Sequence, residues 1–295
     1  MGYHPGERLV QERAGRIKQA DHSLRAVRRT IPAVAASFLA RQPMIVIGAA
    51  DGSGRLWATQ LTGPPGFVRA DGEHTVEIAA RPGAHDPLSG VLDEPQRIGM
   101  IAIEPDKRRR MRINGTARPA GDGLLVTADQ VYANCPKYIQ RREPTFTDGG
   151  AARARRGTGL TAAQRERIGR ADTFFVATAD DQGDADASHR GGNPGFVRVL
   201  GPDRLCWPDY LGNSMFMTLG NLQARPQAGL LFPDWTTGAF LHVSGTAEVD
   251  WSPRPDMPGA ERLVRMTVTD VVDVTGASPL RWSPPEYSRF NPPAD

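Results

Sequence analysis

Shifted against itself by 129 positions, this chain meets its own sequence. GPPGFVRA at 63–70 and GNPGFVRV at 192–199 coincide without a gap, and the match runs back through IVIGAADGSGRLWATQLTGPPGFVR (45–69) over FFVATADDQGDADASHRGGNPGFVR (174–198). Ten aligned positions in this stretch are identical, where unrelated chains share about one or two. One position further out of step, GMIAIEP (99–105) lies over GLLFPDW (229–235), and MRINGTARP (111–119) over LHVSGTAEV (241–249). The same segments recur in the same order, so the chain is one folding unit written twice.

Each copy carries the same signals. A helix opens it: PAVAASFLARQ (32–42), with Pro32 suited to a first turn, and TAAQRERIGRAD (161–172), where Thr161 and Gln164 are spaced as a capping box. A buried apolar strand follows (44–49; 174–178), then a tight turn at DGSG or DDQG and a second strand ending in the Gly-Pro loop. A further strand, a polar loop, a short helix ending near LQARP and two long strands complete the unit. The expected boundaries are an N-terminal helical extension (1–30), a first repeat (31–142), an exposed Gly/Ala/Arg-rich linker (143–160), a second repeat (161–281) and a Pro-rich tail (282–295). The fold class is mainly β with flanking helices, with a barrel of six or seven antiparallel strands in each copy.

Composition narrows the function. With 39% hydrophobic and 23% charged residues among 295, and 32 Gly and 25 Pro, the chain is an ordinary globular one rich in turns. A net charge of +3 without aromatic interleaving argues against nucleic-acid binding. No apolar run approaches a membrane span, and the charged N-terminus lacks the apolar stretch of a secretory leader. Two cysteines, Cys135 and Cys206, and six histidines show no metal-ligand spacing, so no metal is expected and a reduced, cytoplasmic setting is.

The order ADASHRGGNPGFVRVL, LCWPDYLGNSMFMTLGNLQARPQAGLLF, LHVSGTAEV resembles the flavin-binding split barrel of the pyridoxamine 5′-phosphate oxidase-like superfamily. The first copy, with RRRMRINGTA and VYANCPKYIQRR, resembles its tandem-repeat branch of predicted flavin-nucleotide-binding proteins. The resemblance spans about residues 30–281. It implies two tandem split β-barrels forming a pseudo-dimer within one chain, FMN in the groove where they pack, and an FMN-dependent oxidoreductase passing two electrons from a small-molecule substrate to oxygen or an organic acceptor. Two other classes stay open: a non-catalytic flavin-binding or electron-transfer module served by NAD(P)H or a reductase/ferredoxin donor, and the same barrel holding deazaflavin or haem, with His189 or His242 as axial ligand. Further pairing into a homodimer is also open. The superfamily's Ser-Arg-Lys run and its C-terminal Arg-x-His signature are absent, which speaks against oxidation of pyridoxamine phosphate itself.

A flavin phosphate needs cations, hydroxyls and backbone amides. The second copy supplies Ser188, His189, Arg190, Gly191 and Asn193 at a strand end, and Tyr210, Asn213 and Ser214 at the next turn. The aligned TQLTGPP and PGAHDP of the first copy lack these charges, so the second copy is expected to hold the phosphate and the first to supply the opposite wall. That wall draws on Arg110 and Arg112, alternate residues of one strand, and on Lys137 and Arg141, which would share a face if 134–142 were helical. No residue stands out as a general acid or base.

Overall fold

The computed structural model describes residues 2–252 and 256–293; Met1 of the extension and residues 294–295 of the tail lie outside the described residues. Two helices, α1 (Pro5–Arg13) and α2 (Ile17–Leu24), precede the first repeat. That repeat contains α3 (Ala33–Leu39), β1 (Met44–Ala50), β2 (Leu56–Thr62), β3 (Val68–Asp71), β4 (Thr75–Ile78), β5 (Gln96–Glu104), β6 (Arg109–Ala120) and β7 (Gly123–Ala133). Two short strands follow, β8 (Pro144–Phe146) and β9 (Arg153–Gly157). The second repeat contains α4 (Ala162–Arg170), β10 (Thr173–Ala179), β11 (Ala185–Gly191), β12 (Arg198–Val199), β13 (Arg204–Tyr210), α5 (Met217–Ala224), β14 (Gln227–Pro233), β15 (Phe240–Asp250) and β16 (Ala260–Thr275), and β17 (Leu280–Trp282) closes the list of elements.

The duplication is written into the topology. The first sheet runs β2-β1-β5-β6-β7-β4-β3 and the second β11-β10-β14-β15-β16-β13-β12, the same antiparallel path strand for strand. Each path starts and ends on a different edge strand, as a split barrel requires. The register slips at the same place in both, between Asn114 and Gly115 and between Ser244 and Gly245. The hairpin turns match as well: Asp51 Oδ1 accepts the Ser53 and Arg55 amides, and Asp180 Oδ1 those of Gln182 and Asp184, the local bonds that make aspartate a turn former. Phe67 and Phe196, from the repeated Gly-Pro loop, are buried in their respective cores.

The barrels meet back to back. Val46 and Ile101 of one and Phe175 and Leu231 of the other share a third apolar core. A Cβ on Gly99 of β5 would sit 2.4 Å from the Asp186 Cα of β11, and one on the equivalent Gly229 of β14 would sit 2.3 Å from the Leu56 carbonyl oxygen of β2. Only glycine permits strands this close. The pairing is reciprocal, copy one on copy two and back, which is the signature of a pseudo-two-fold axis.

Several sequence-based expectations give way. The capping box at Thr161 and Gln164 forms, but Pro32 is the N-cap of α3 rather than part of its first turn, and α3 stops at Leu39. The first repeat has no counterpart of α5; Pro82, Pro87 and two glycines break the segment, leaving only a 3-10 turn at Val91–Asp93. Residues 134–142 are not helical: Pro136 interrupts them and Tyr138 takes a left-handed φ of 66°. Residues 143–160 are largely exposed yet ordered, because β8 pairs with β17 and β9 extends the second sheet along β16. No helix among the described residues is long and apolar enough to cross a membrane.

Candidate functional site

Strand β11 carries His189, Arg190 and Gly191 to its end, and β13 ends in Tyr210 before the loop 211–216 that leads into α5. These converge on a cleft of about 100 Å³, whose other wall comes from the first repeat: Arg110 and Arg112 of β6, and Asn134, Cys135 and Tyr138 beyond β7. Arg110 and Arg112 project to one side of β6 because strand residues two apart share a face.

The three arginines are treated differently by their surroundings. Arg112 Nη1 donates to both oxygens of buried Asp186 at 2.9 and 3.2 Å and to the Tyr132 hydroxyl at 3.3 Å, so its charge is neutralised inside the protein. Arg110 Nη1 donates to His189 Nδ1 at 2.7 Å, and its Nε is buried without an acceptor. Receiving that bond on Nδ1 fixes the proton of neutral His189 on Nε2. Burial, then Arg110, Arg190 and Arg112, hold the imidazole pKa well below its ordinary value. Arg190 reaches only the carbonyl of His189, at 3.2 Å. Neither Arg110 nor Arg190 has a carboxylate partner among the described residues. Burial and the neighbouring cations Arg112 and Arg190 push the Arg110 pKa down to about 9, the mark of a desolvated, uncompensated charge.

Such a site is built for an anion. Asp209 also lines the cleft and its charge favours the Arg190 cation, but its carboxylate is bonded to Arg262, and desolvated cations without a bonded carboxylate cost free energy that a bound anion would recover. The loop adds donors: Asn213 Oδ1 accepts the Met215 amide at 3.1 Å, leaving its Nδ2 free to donate, and buried Ser214 lines the same wall. Tyr138 and Tyr210, one from each repeat, stack at 5.1 Å, and the Tyr138 hydroxyl donates to the Leu211 carbonyl at 3.2 Å. They shelter one side of the cleft from water.

Residues 160–273 match the family model described as pyridoxamine 5′-phosphate oxidase. The second repeat belongs to the pyridoxamine 5′-phosphate oxidase-like split-barrel superfamily. No curated protein matches the chain. Among solved structures, it is similar to a putative pyridoxamine 5′-phosphate oxidase from Lactobacillus delbrueckii (19% identity, 38% of this chain and 93% of that one, TM-score 0.32). It is also similar to an FMN-binding protein from Syntrophomonas wolfei (8% identity, 37% and 83%, TM-score 0.29). A third is the haem storage protein HutZ from Vibrio cholerae (14% identity, 39% and 94%, TM-score 0.30).

Within this split-barrel pair, the sequence-predicted residues divide. His189, Arg190, Gly191, Tyr210, Asn213, Ser214, Arg110 and Arg112 all line the cleft. Four do not. Ser188 is fully buried behind it, bonded to Asp186 and Thr218. Asn193 turns away to hold the tail through Pro292 and Asn291. Lys137 lies over the Phe290 ring and Arg141 pairs with Glu286, because the non-helical 134–142 segment directs both to the tail. Asp186, the counterion of Arg112, escaped sequence reading; its only signal is a carboxylate among the small residues of ADASH. So did Tyr138, which the left-handed turn brings over Tyr210.

The pseudo-symmetric position is filled instead. Phe240 and His242 stand where β6 has Arg110 and Arg112, and both are buried. His242 Nδ1 donates to the Ala58 carbonyl at 2.9 Å, while Thr59 bonds Asp86 nearby. Val272 and Val274 of β16 enter the core of the first repeat at this point. One wall is charged and open, its twin apolar and closed.

Proposed function

We propose that the chain is a flavoprotein whose one cleft holds FMN, and that it acts as an FMN-dependent oxidoreductase on a small-molecule substrate. Support comes from one observation above the others: Arg110 of the first repeat and Arg190 of the second face the same cleft, and among the described residues neither is bonded to a carboxylate. Arg110, Arg190, Asn213 and Ser214 hold the phosphate. When bound, the flavin supplies two-electron chemistry between a reduced donor and oxygen or an organic acceptor. The chain's own residues bind and orient. Arg112, paired with Asp186 and bonded to Tyr132, is fixed in the wall. His189 remains a neutral donor through Nε2, and the Tyr138–Tyr210 pair excludes water. Electrons enter from NAD(P)H or from a separate reductase or ferredoxin.

Binding titrations with FMN and riboflavin test the reading. FMN binds the purified protein with a flavin absorption spectrum, and riboflavin, which lacks the phosphate, binds far more weakly. Arg110→Ala and Arg190→Ala each weaken FMN by about 10- to 100-fold, the worth of one charge-assisted bond, and leave riboflavin unaffected. Equal affinity for the two flavins overturns the assignment. Bleaching of the bound flavin by NAD(P)H without air, and its return in air, marks an enzyme; absence of bleaching marks a carrier served by a partner.

A further inference from the structure

The residues before the first repeat do not pack against it alone. Helix α1 lies on α5 of the second repeat, so close that a Cβ on Gly6 would meet the Gly220 carbonyl oxygen at 2.3 Å. His4 caps α1, receiving the Gly6 amide on Nδ1 and donating from Nε2 to Asn221 Oδ1 of α5 at 3.0 Å. Two more bonds reach the loop that precedes α5. Gln11 Nε2, fully buried, donates to the Met215 carbonyl at 3.0 Å, and Ser23 Oγ of α2 donates to the Asn213 carbonyl at 2.8 Å.

Those carbonyls flank an unusual piece of backbone. Ser214 and Phe216 both have left-handed φ, 62° and 59°, a conformation that costs a non-glycine residue on the order of 1 kcal/mol or more. It persists only where the surroundings over-determine it. In a trans peptide the C=O of one residue and the N–H of the next point in opposite directions. Capture of the Asn213 and Met215 carbonyls by the helices therefore aims the Ser214 and Phe216 N–H groups away from them. Neither of these amides has a protein acceptor among the described residues, and both residues line the cleft. Backbone amides turned to one side by left-handed residues can line an anion-binding concavity, and here the two free ones flank the Met215 amide, which is bonded to Asn213 Oδ1.

We propose that the α1–α2 hairpin is a positioning element for the anion loop: Gln11 and Ser23 hold residues 213–216 in the strained path that offers two backbone amides to the ligand. The proposal rests on the reading of the cleft as a phosphate site, but the loop conformation is testable without any ligand.

The experiment uses the full chain with Ser23→Ala, Gln11→Ala and the conservative Ser23→Thr, which keeps the hydroxyl. In the ligand-free protein, hydrogen exchange is followed at the Met215 amide, which donates to Asn213 Oδ1. It speeds up by about 10-fold in the alanine variants, the effect of about one lost hydrogen bond, is restored in Ser23→Thr, and is unchanged in β14–β16. In titrations, the alanine variants lose FMN affinity by a similar factor and keep riboflavin affinity. Wild-type exchange at Met215 in both alanine variants overturns the proposal, as does an equal loss of both flavins. If the wild-type protein itself binds FMN no better than riboflavin, the phosphate reading falls, and the exchange data alone decide the hairpin's role.

Discussion

Replacing Glu7 by glutamine removes a carboxyl that the fold keeps from ionising. Glu7 sits on α1 against Gly220, with its side chain almost wholly buried, and accepts the His4 amide at 2.9 Å. Burial raises its pKa from the ordinary 4.5 to about 8; the bond from the His4 amide opposes this most, Asp186 and Asp180 add to it, and Arg8 opposes it least. Because the folded value is the higher one, the native chain binds more protons than the unfolded chain between these two points, and stability falls as pH rises across them. The interval spans 3.5 pH units. Each unit is worth about 1.4 kcal/mol, so the full penalty is about 5 kcal/mol, with about 3 kcal/mol of it present at pH 7. Glutamine keeps the capping bond to His4 and pays none of this cost. Urea unfolding of both proteins from pH 5 to pH 9 reads the difference directly. Across this range the variant gains on the wild type, most steeply between pH 5 and pH 8, and the curves run parallel above about pH 9. A difference independent of pH, or a wild type that gains on the variant as pH rises, refutes the reasoning.

The two barrels should be equally intolerant of bulk at their contact. Gly99→Val and Gly229→Val each drive a side chain into the other repeat's second strand, and each lowers unfolding stability by about 2–3 kcal/mol or more, with similar values expected from the pseudo-two-fold arrangement. Arg142→Ala breaks a buried pair with Asp172, 2.6 Å apart, that ties the segment after the first repeat to the start of the second. Leaving that carboxylate uncompensated costs about 3–5 kcal/mol, read by thermal or urea unfolding, and Asp172→Asn in the same chain restores part of it.

What was legible in the sequence is what local pattern and self-comparison carry. The duplication fixed the strand path twice over, and Thr161 with Gln164 announced α4 because a capping box is a bond between residues three apart. The charge difference between the copies, Arg190 against Leu61 and Arg110 against Phe240, pointed to the cleft that the structure shows. The misreadings share a cause. Lys137 and Arg141 were matched to a helical spacing although Pro136 stands between Cys135 and Lys137 and the chain turns left-handed at Tyr138. The segment 143–160 reads as a linker because its partners, β16 and β17, lie more than a hundred residues away. Asp186 meets Arg112 across 74 positions, and Gln11 meets Met215 across 204. No periodicity within a window records such contacts.

Joining the barrels in one chain changes what substitution can do to them. When two identical subunits form such a pair, each cleft takes one wall from either copy, so a residue that closes one closes both. Here the equivalent positions are separate codons. Phe240 and His242 occupy one wall with Val272 and Val274 packed behind it, while Arg110 and Arg112 occupy the other, where Asp186 is bonded to Arg112. The apolar closure adds to the shared core, and the free energy it contributes helps offset two arginines left without carboxylates across the molecule. The same asymmetry explains the extension. α5, which the first repeat lacks, is the surface on which α1 docks, so the hairpin can brace only the loop of the open cleft. Stability is concentrated in one half of the pseudo-symmetric pair, and the uncompensated charge, the left-handed loop and the helices that hold it are gathered in the other.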